Sequence, residues 1–163
     1  MSYDSEINYY LKPKVKHFLG CFASNQLPTN PPHGSSLIVN YSKSDQRGTH
    51  WVAMRNLNTS NVQFFDSYGF DADAEDIILS VHTNFVRYLK KNSKNNRYVH
   101  NELNLQHIES DTCGEYSAKF IKDGLPMNKN GVINKKWEKY VKSNNLNKNN
   151  KMILNEIRLR GSR

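Results

Sequence analysis

Between Ser36 and Gly69 the apolar residues fall in three short runs, SLIVNYS, HWVAMRNL and VQFFDSYG, parted by the polar turn KSDQRGT and by a short Asn/Thr/Ser turn. Short runs rich in Val, Ile, Phe and Tyr, bounded by turn residues, are strands, and the last two carry a hairpin signature. A sheet is therefore the element that the rest of the chain must pack on. From Asp73 the period changes. Ile77, Ile78, Val81, Phe85, Tyr88 and Leu89 share one helical face, with Asp73, Glu75 and Asp76 at the positive end of the helix dipole.

The flanking segments complete an α+β pattern. SYDSEINYYL places Ile7, Tyr10 and Leu11 on one side of a short helix, and KHFLGCFASNQLP leads into the Pro/Gly-rich loop TNPPHGSS. RYVHNELNLQ reads as a further strand. Cys113, Tyr116, Ser117, Phe120 and Ile121 then repeat at helical spacing until Gly124 and Pro126 end the helix. Two basic helices are expected around Lys135–Val141 and Lys148–Leu159. Three to five strands with helices grouped round them make one α+β domain over 1–163, with a basic helical C-terminal part at 126–160.

Two cysteines, Cys21 and Cys113, are too few for a disulfide scaffold in 163 residues, so a reducing, intracellular setting is expected. No apolar run approaches a membrane span, and no membrane partner is expected. Charge is unevenly placed. Residues 1–118 carry 11 Lys and Arg against 12 Asp and Glu, whereas residues 119–163 carry 12 against 3. A basic excess confined to one end suggests a surface for polyanions, with Lys135, Lys136, Lys139 and Lys142 as candidate DNA contacts. A solvated lysine-rich helix surface would show the same composition.

Cys113 lies in the first turn of an expected helix, where unpaired backbone N–H groups favour a thiolate. The following Gly114 leaves room for a substrate backbone to come close. A lone cysteine is more often a buried apolar residue, so a base is needed to make the case. Among six histidines, His50 opens an aromatic-rich strand, and Asp66 ends the next strand sixteen residues later. In an antiparallel pair the start of one strand lies near the end of the next, so a carboxylate there could orient the imidazole. Asp71 and Asp73 are rival carboxylates. Gln106, seven residues before Cys113, has a carboxamide that could donate to a developing oxyanion beside the Cys113 N–H.

Taken together, GTHWVAM, FFDSYGF, Gln106 and DTCGEYSAKFI resemble the adenovirus-type endopeptidases, which share a fold with the SUMO-specific proteases and keep the chain order His, acidic residue, Gln, Cys. The likeness spans residues 48–121, and FLGCFASNQLP at 18–28 resembles an upstream segment of the virophage and large-DNA-virus members. It implies a papain-like cysteine protease fold of the SUMO-protease and adenain type, a small central mixed sheet flanked by helices. It implies His50 as base, Asp66 as orienting acid, Gln106 as oxyanion donor, Cys113 as nucleophile and Trp51 as a wall of the substrate groove. Asp66 stands where the adenovirus enzyme has Glu and follows the SUMO-protease habit. That enzyme is also joined to an activating peptide through a cysteine. Here only Cys21 is spare, outside the region of that link, so peptide activation is not carried over.

The resemblance implies a viral cysteine endopeptidase that cuts capsid or core precursors at Gly-containing sites during virion maturation, in the virion and the infected cell interior. A monomer is expected. No metal is expected, and no cofactor beyond DNA acting as a non-covalent activator. The alternatives are a ubiquitin-like-protein deconjugase or an effector acetyltransferase of the same fold, and a non-enzymatic nucleic-acid-binding module.

Overall fold

The computed structural model describes residues 3–41, 50–73 and 84–159, and in it the three central runs form the middle of a five-stranded sheet. The elements are α1 (Tyr3–Leu11), β1 (Phe18–Ala23), β2 (Ser35–Asn40), β3 (Trp51–Asn58), β4 (Asn61–Phe65), α2 (Phe85–Lys91), β5 (Val99–His100), α3 (Cys113–Asp123), α4 (Glu138–Lys142) and α5 (Leu146–Glu156). Strand order follows the chain, β1 to β5. The outer pairs β1/β2 and β4/β5 are parallel, and β2/β3 and β3/β4 are antiparallel, so the sheet is mixed and the fold is α+β.

Side chains alternate across the sheet and feed two cores. Ile38, Ala53 and Phe65 face one way, into a core with Ile7 and Leu11 of α1, Tyr116, Phe120 and Ile121 of α3, and Trp137, Tyr140, Ile153 and Ile157. Leu37, Val39, Val52, Met54, Val62 and Phe64 face the other way and pack with Phe85, Val86 and Leu89 of α2. Burial on both faces explains why SSLIVN is apolar with little alternation, since every residue of β2 is buried.

Helix α3 is the axis of the molecule. It packs on β2 and β3, and α1 and α5 pack on it in turn. Every residue from Cys113 to Ile121 is buried, including Glu115 and Lys119. The buried Lys119 ammonium is matched by Asp123 Oδ2 at 2.8 Å and by Glu156 of α5, and lies 5.0 Å from the Trp137 ring. One charged group thus fastens α3 to the C-terminal helices.

The observed elements differ from the sequence reading in three places. FLGCFA, expected as lead-in to a loop, is the edge strand β1. A register shift between Phe18 and Cys21, with Gly20 at φ 131°, breaks the alternation that would have marked it. RYVHNELNLQ pairs only at Val99–His100, because Leu105 and Gln106 give their N–H groups to the Ser67 carbonyl rather than to a ladder. The second basic helix is Leu146–Glu156, capped by Asn145, whose side chain accepts from the Lys148 N–H. Of the helix expected from Asp73, residues 74–83 lie outside the described residues, among them Glu75, Asp76, Ile77, Ile78, Val81 and His82, as does the turn KSDQRGT at 43–49. No described helix is long and apolar enough to cross a membrane.

Candidate active site

The β3/β4 hairpin pairs Ala53 with Phe65, so the residues just outside the two strands, His50 and Asp66, come together. His50 Nε2 lies 2.8 Å from Asp66 Oδ1. The same oxygen accepts the Tyr68 N–H at 3.0 Å, which fixes the carboxylate against its own turn. The Tyr68 ring stacks on the imidazole at 4.9 Å between centroids, and Tyr41 lies 5.9 Å away on a tilted plane. The Cys113 side chain interacts with the same imidazole. Burial works against a charge on His50, which is 5% exposed. Hydrogen bonds to Asp66 and Cys113 outweigh that penalty and hold the imidazole pKa well above its ordinary 6.5.

Asp66 and Gln106 are placed by two loops that bond to each other. The Asn101 carboxamide accepts the Asp66 N–H at 3.1 Å and donates to the Asp66 carbonyl at 2.7 Å, as a strand neighbour would. Ser67 Oγ donates to Gln106 Oε1 at 2.5 Å, and the Ser67 carbonyl accepts the Gln106 N–H at 3.2 Å. Gln106 Nε2 donates to the Ser110 carbonyl at 2.9 Å, and the amide has a second hydrogen to give. Gly69 allows the contact: at φ 81° a side chain is strained, and a Cβ there would stand 2.7 Å from the Glu102 carbonyl oxygen. Behind this pair of loops, Tyr116 of α3 and Asn149 of α5 both donate to the Leu105 carbonyl, at 2.9 and 3.2 Å. Gln106 is therefore in a loop, not at the end of a strand as the sequence suggested.

Cys113 is the first residue of α3, and the first intrahelical bond at this end runs from the Tyr116 N–H to the Thr112 carbonyl. The N–H groups of Cys113 to Glu115 consequently have no acceptor within the helix. Gly114 does something other than leave open space. A Cβ at this position would lie 2.0 Å from the Tyr3 hydroxyl, so Tyr3 of α1 occupies the room that glycine provides.

The hairpin selects among the rivals. Asp71 bonds the Tyr98 hydroxyl and Asp73 bonds Lys90 at 3.2 Å, so Asp66 is the carboxylate on His50. His17 and His33 are exposed, His107 Nδ1 accepts the Glu109 N–H, and His100 lies by Asp71. Trp51 is half-buried beside His50 and meets Tyr3 edge-on, with ring centroids 6.1 Å apart. Neither cysteine is in a disulfide, and burial pushes the Cys21 thiol far above its ordinary value. Among the described residues no group of three His, Cys, Asp or Glu side chains could hold a metal ion. Lys135, Lys136, Lys139 and Lys142 share one shallow concavity with Lys119 and Lys122. Lys139 pairs with Glu156 and Lys142 with Glu138, whereas Lys122, Lys135 and Lys136 are exposed and make no ion pair among the described residues. The sequence does not mark Asn101, Ser67, Tyr68 or Tyr3. Asn and Ser in loops carry no pattern of their own, and only the SYG following Asp66 could have pointed at two of them.

No family model matches the chain, and no curated protein matches it. Solved structures that match include the ASFV pS273R protease, at 16% identity over 84% of this chain and 47% of that one, with a TM-score of 0.38. The chain thus spans about half the length of that protease. The central domain of the uncharacterized Lpg1148 protein from Legionella pneumophila matches at 15% identity over 97% of both chains, with a TM-score of 0.47. At such values neither likeness assigns a role to any residue here.

Proposed function

We propose that the chain is a cysteine endopeptidase in which Cys113 is the nucleophile, His50 the general base and acid, Asp66 the orienting carboxylate and Gln106 an oxyanion donor. The observation that carries this reading is His50, buried between Asp66 at 2.8 Å and the side chain that begins α3. A structural histidine needs one partner. This one links an acid to a helix-start thiol, the arrangement that nucleophilic catalysis requires.

Cys113 Sγ attacks the scissile carbonyl carbon as a thiolate while His50 holds the proton. The carbonyl electron pair moves to oxygen, where the free Nε2 hydrogen of Gln106 and the Cys113 N–H receive it. Collapse breaks the C–N bond, and His50 gives its proton to the departing amine. A water then loses a proton to His50 and attacks the thioester, and breakage of the C–S bond returns the thiolate and releases the acid. Asp66 keeps the imidazole oriented and offsets its charge throughout.

The substrates proposed are viral capsid or core precursors, cut at Gly-containing sites. Co-expression with candidate precursors, followed by sequencing of new N-termini, tests this. Cleavage that vanishes in Cys113→Ala supports the reading. Release of a ubiquitin-like tail instead would assign a deconjugase, and acetyl transfer without cleavage an acetyltransferase.

Lys122, Lys135 and Lys136 support non-specific DNA binding, which would hold the enzyme near packaged substrates. Each phosphate neutralised on duplex DNA contributes about −0.9 to the slope of log K against log salt. Replacing these three by Ala should flatten the slope more than replacing the ion-paired Lys139 and Lys142, with cleavage of a short peptide unchanged. An unaltered slope would make the concavity a solubility feature.

A further inference from the structure

Tyr3 lies against both the residue after the thiol and the residue after the imidazole. Its hydroxyl rests on Gly114, where no Cβ would fit, and its ring meets Trp51 edge-on at 6.1 Å and 70°. The hydroxyl donates to Glu115 Oε2 at 2.8 Å, and Glu115 is itself 1% exposed, in the first turn of α3. Tyr3 is thus anchored at its tip and in edge contact through its ring, while Cys113, the chain neighbour of Gly114, is only 8% exposed.

From this we infer that Tyr3 is a specificity-determining residue, the second aromatic wall of the cleft that leads to Cys113. The inference rests on the protease reading and deepens it. Two rings in edge contact leave no layer between them, whereas a peptide segment threaded between aromatic surfaces needs roughly 3.5–4 Å on either side. A substrate must run along the pair or part it, and in both cases side-chain bulk next to the scissile carbonyl meets Tyr3. The N-terminal helix is then part of the active site, and Gly114 is there to seat Tyr3.

The test uses the whole chain in a Cys21→Ser background, so that Cys113 is its only thiol. Peptides differing only in Gly, Ala or Leu on the acyl side of the scissile bond are compared in wild type, Tyr3→Phe and Tyr3→Ala. Removing the wall should lower the Gly-to-Leu ratio of kcat/KM by about tenfold or more in Tyr3→Ala, in the range that pocket size commands. Tyr3→Phe keeps the ring and should keep the ratio. A ratio unchanged in folded Tyr3→Ala overturns the inference. Should Tyr3→Ala fail to fold, Tyr3→Leu, which shortens the reach over Gly114, carries the same expectation. If wild type cleaves no peptide, the protease reading is what fails. The wall is then read from the rates at which iodoacetamide and the bulkier N-phenylmaleimide label Cys113. Tyr3→Ala should speed the bulkier reagent selectively, and equal acceleration of both, or of neither, overturns it.

Discussion

Asn101 holds Asp66 by its backbone alone, accepting from its N–H at 3.1 Å and donating to its carbonyl at 2.7 Å. One buried carboxamide thereby replaces the ladder that β4 has just left, at the residue on which His50 depends. Asn101→Ala should lower kcat by about 10–100-fold with KM nearly unchanged, as displacement of a catalytic group by an ångström or so does. The alkaline limb of the pH profile should also move down, because Asp66 no longer supports the imidazolium. A loss of melting temperature with an unmoved limb would make Asn101 a structural residue only.

Asp66→Asn tests the electrostatics directly. The His50 pKa is raised by Asp66 and Cys113 against the opposing effect of burial. The proton on His50 is present below the raised pKa and is lost as pH climbs through it, so activity falls on that side. Removing the carboxylate charge leaves burial less opposed, and the alkaline limb should shift to lower pH while kcat drops by roughly one to four orders of magnitude. A profile of Cys113 alkylation against pH measures the same shift without substrate.

Gln106→Ala should cost about 10²–10³ in kcat, since an oxyanion donor acts on charge found only in the transition state. Ser67→Ala removes the 2.5 Å bond to Gln106 Oε1 and frees the amide to turn over, for an expected loss of about tenfold. A change confined to KM in either variant would make Gln106 a binding residue.

Lys119 and Glu156 supply a stability prediction. Burial raises the Glu156 carboxyl pKa, but hydrogen bonds from Lys119 and Tyr140 together lower it by more, and the balance lies below the ordinary 4.5. A carboxyl depressed on folding stabilises above its unfolded pKa, and that contribution is lost as pH falls through the folded value. The urea midpoint should therefore fall between about pH 7 and about pH 3, and Glu156→Gln should lack part of that fall. Lys119→Met removes the buried cation that Asp123 and Glu156 share and leaves Glu156 only the exposed Lys139, at a cost of up to roughly 3–5 kcal/mol.

The sequence made the centre of the molecule readable and left its periphery obscure, for physical reasons. His50 and Asp66 could be paired on paper because a tight hairpin fixes which residues face each other. Cys113 could be placed because helix starts carry recognisable neighbours. β1 was missed since a glycine and a register shift erase its alternation, and β5 was overextended because VHNEL resembles a strand whose hydrogen bonds go elsewhere. Tyr3 has no signature in the sequence for another reason. Its partners Trp51, Gly114 and Glu115 lie far along the chain, and no local pattern announces a contact across such a separation.

Helix α3 lies between a sheet made before it and helices made after it. Trp137, Tyr140, Ile153 and Ile157 close the core over α3, and Asn149 supports the Leu105 carbonyl next to Gln106. The consequence is temporal. On the ribosome His50, Asp66, Gln106 and Cys113 all emerge before these C-terminal residues, and a domain folds as a unit. A half-made chain would carry the four proposed reacting groups without the helices that close the core over α3, so on the protease reading activity would wait for those helices to be made.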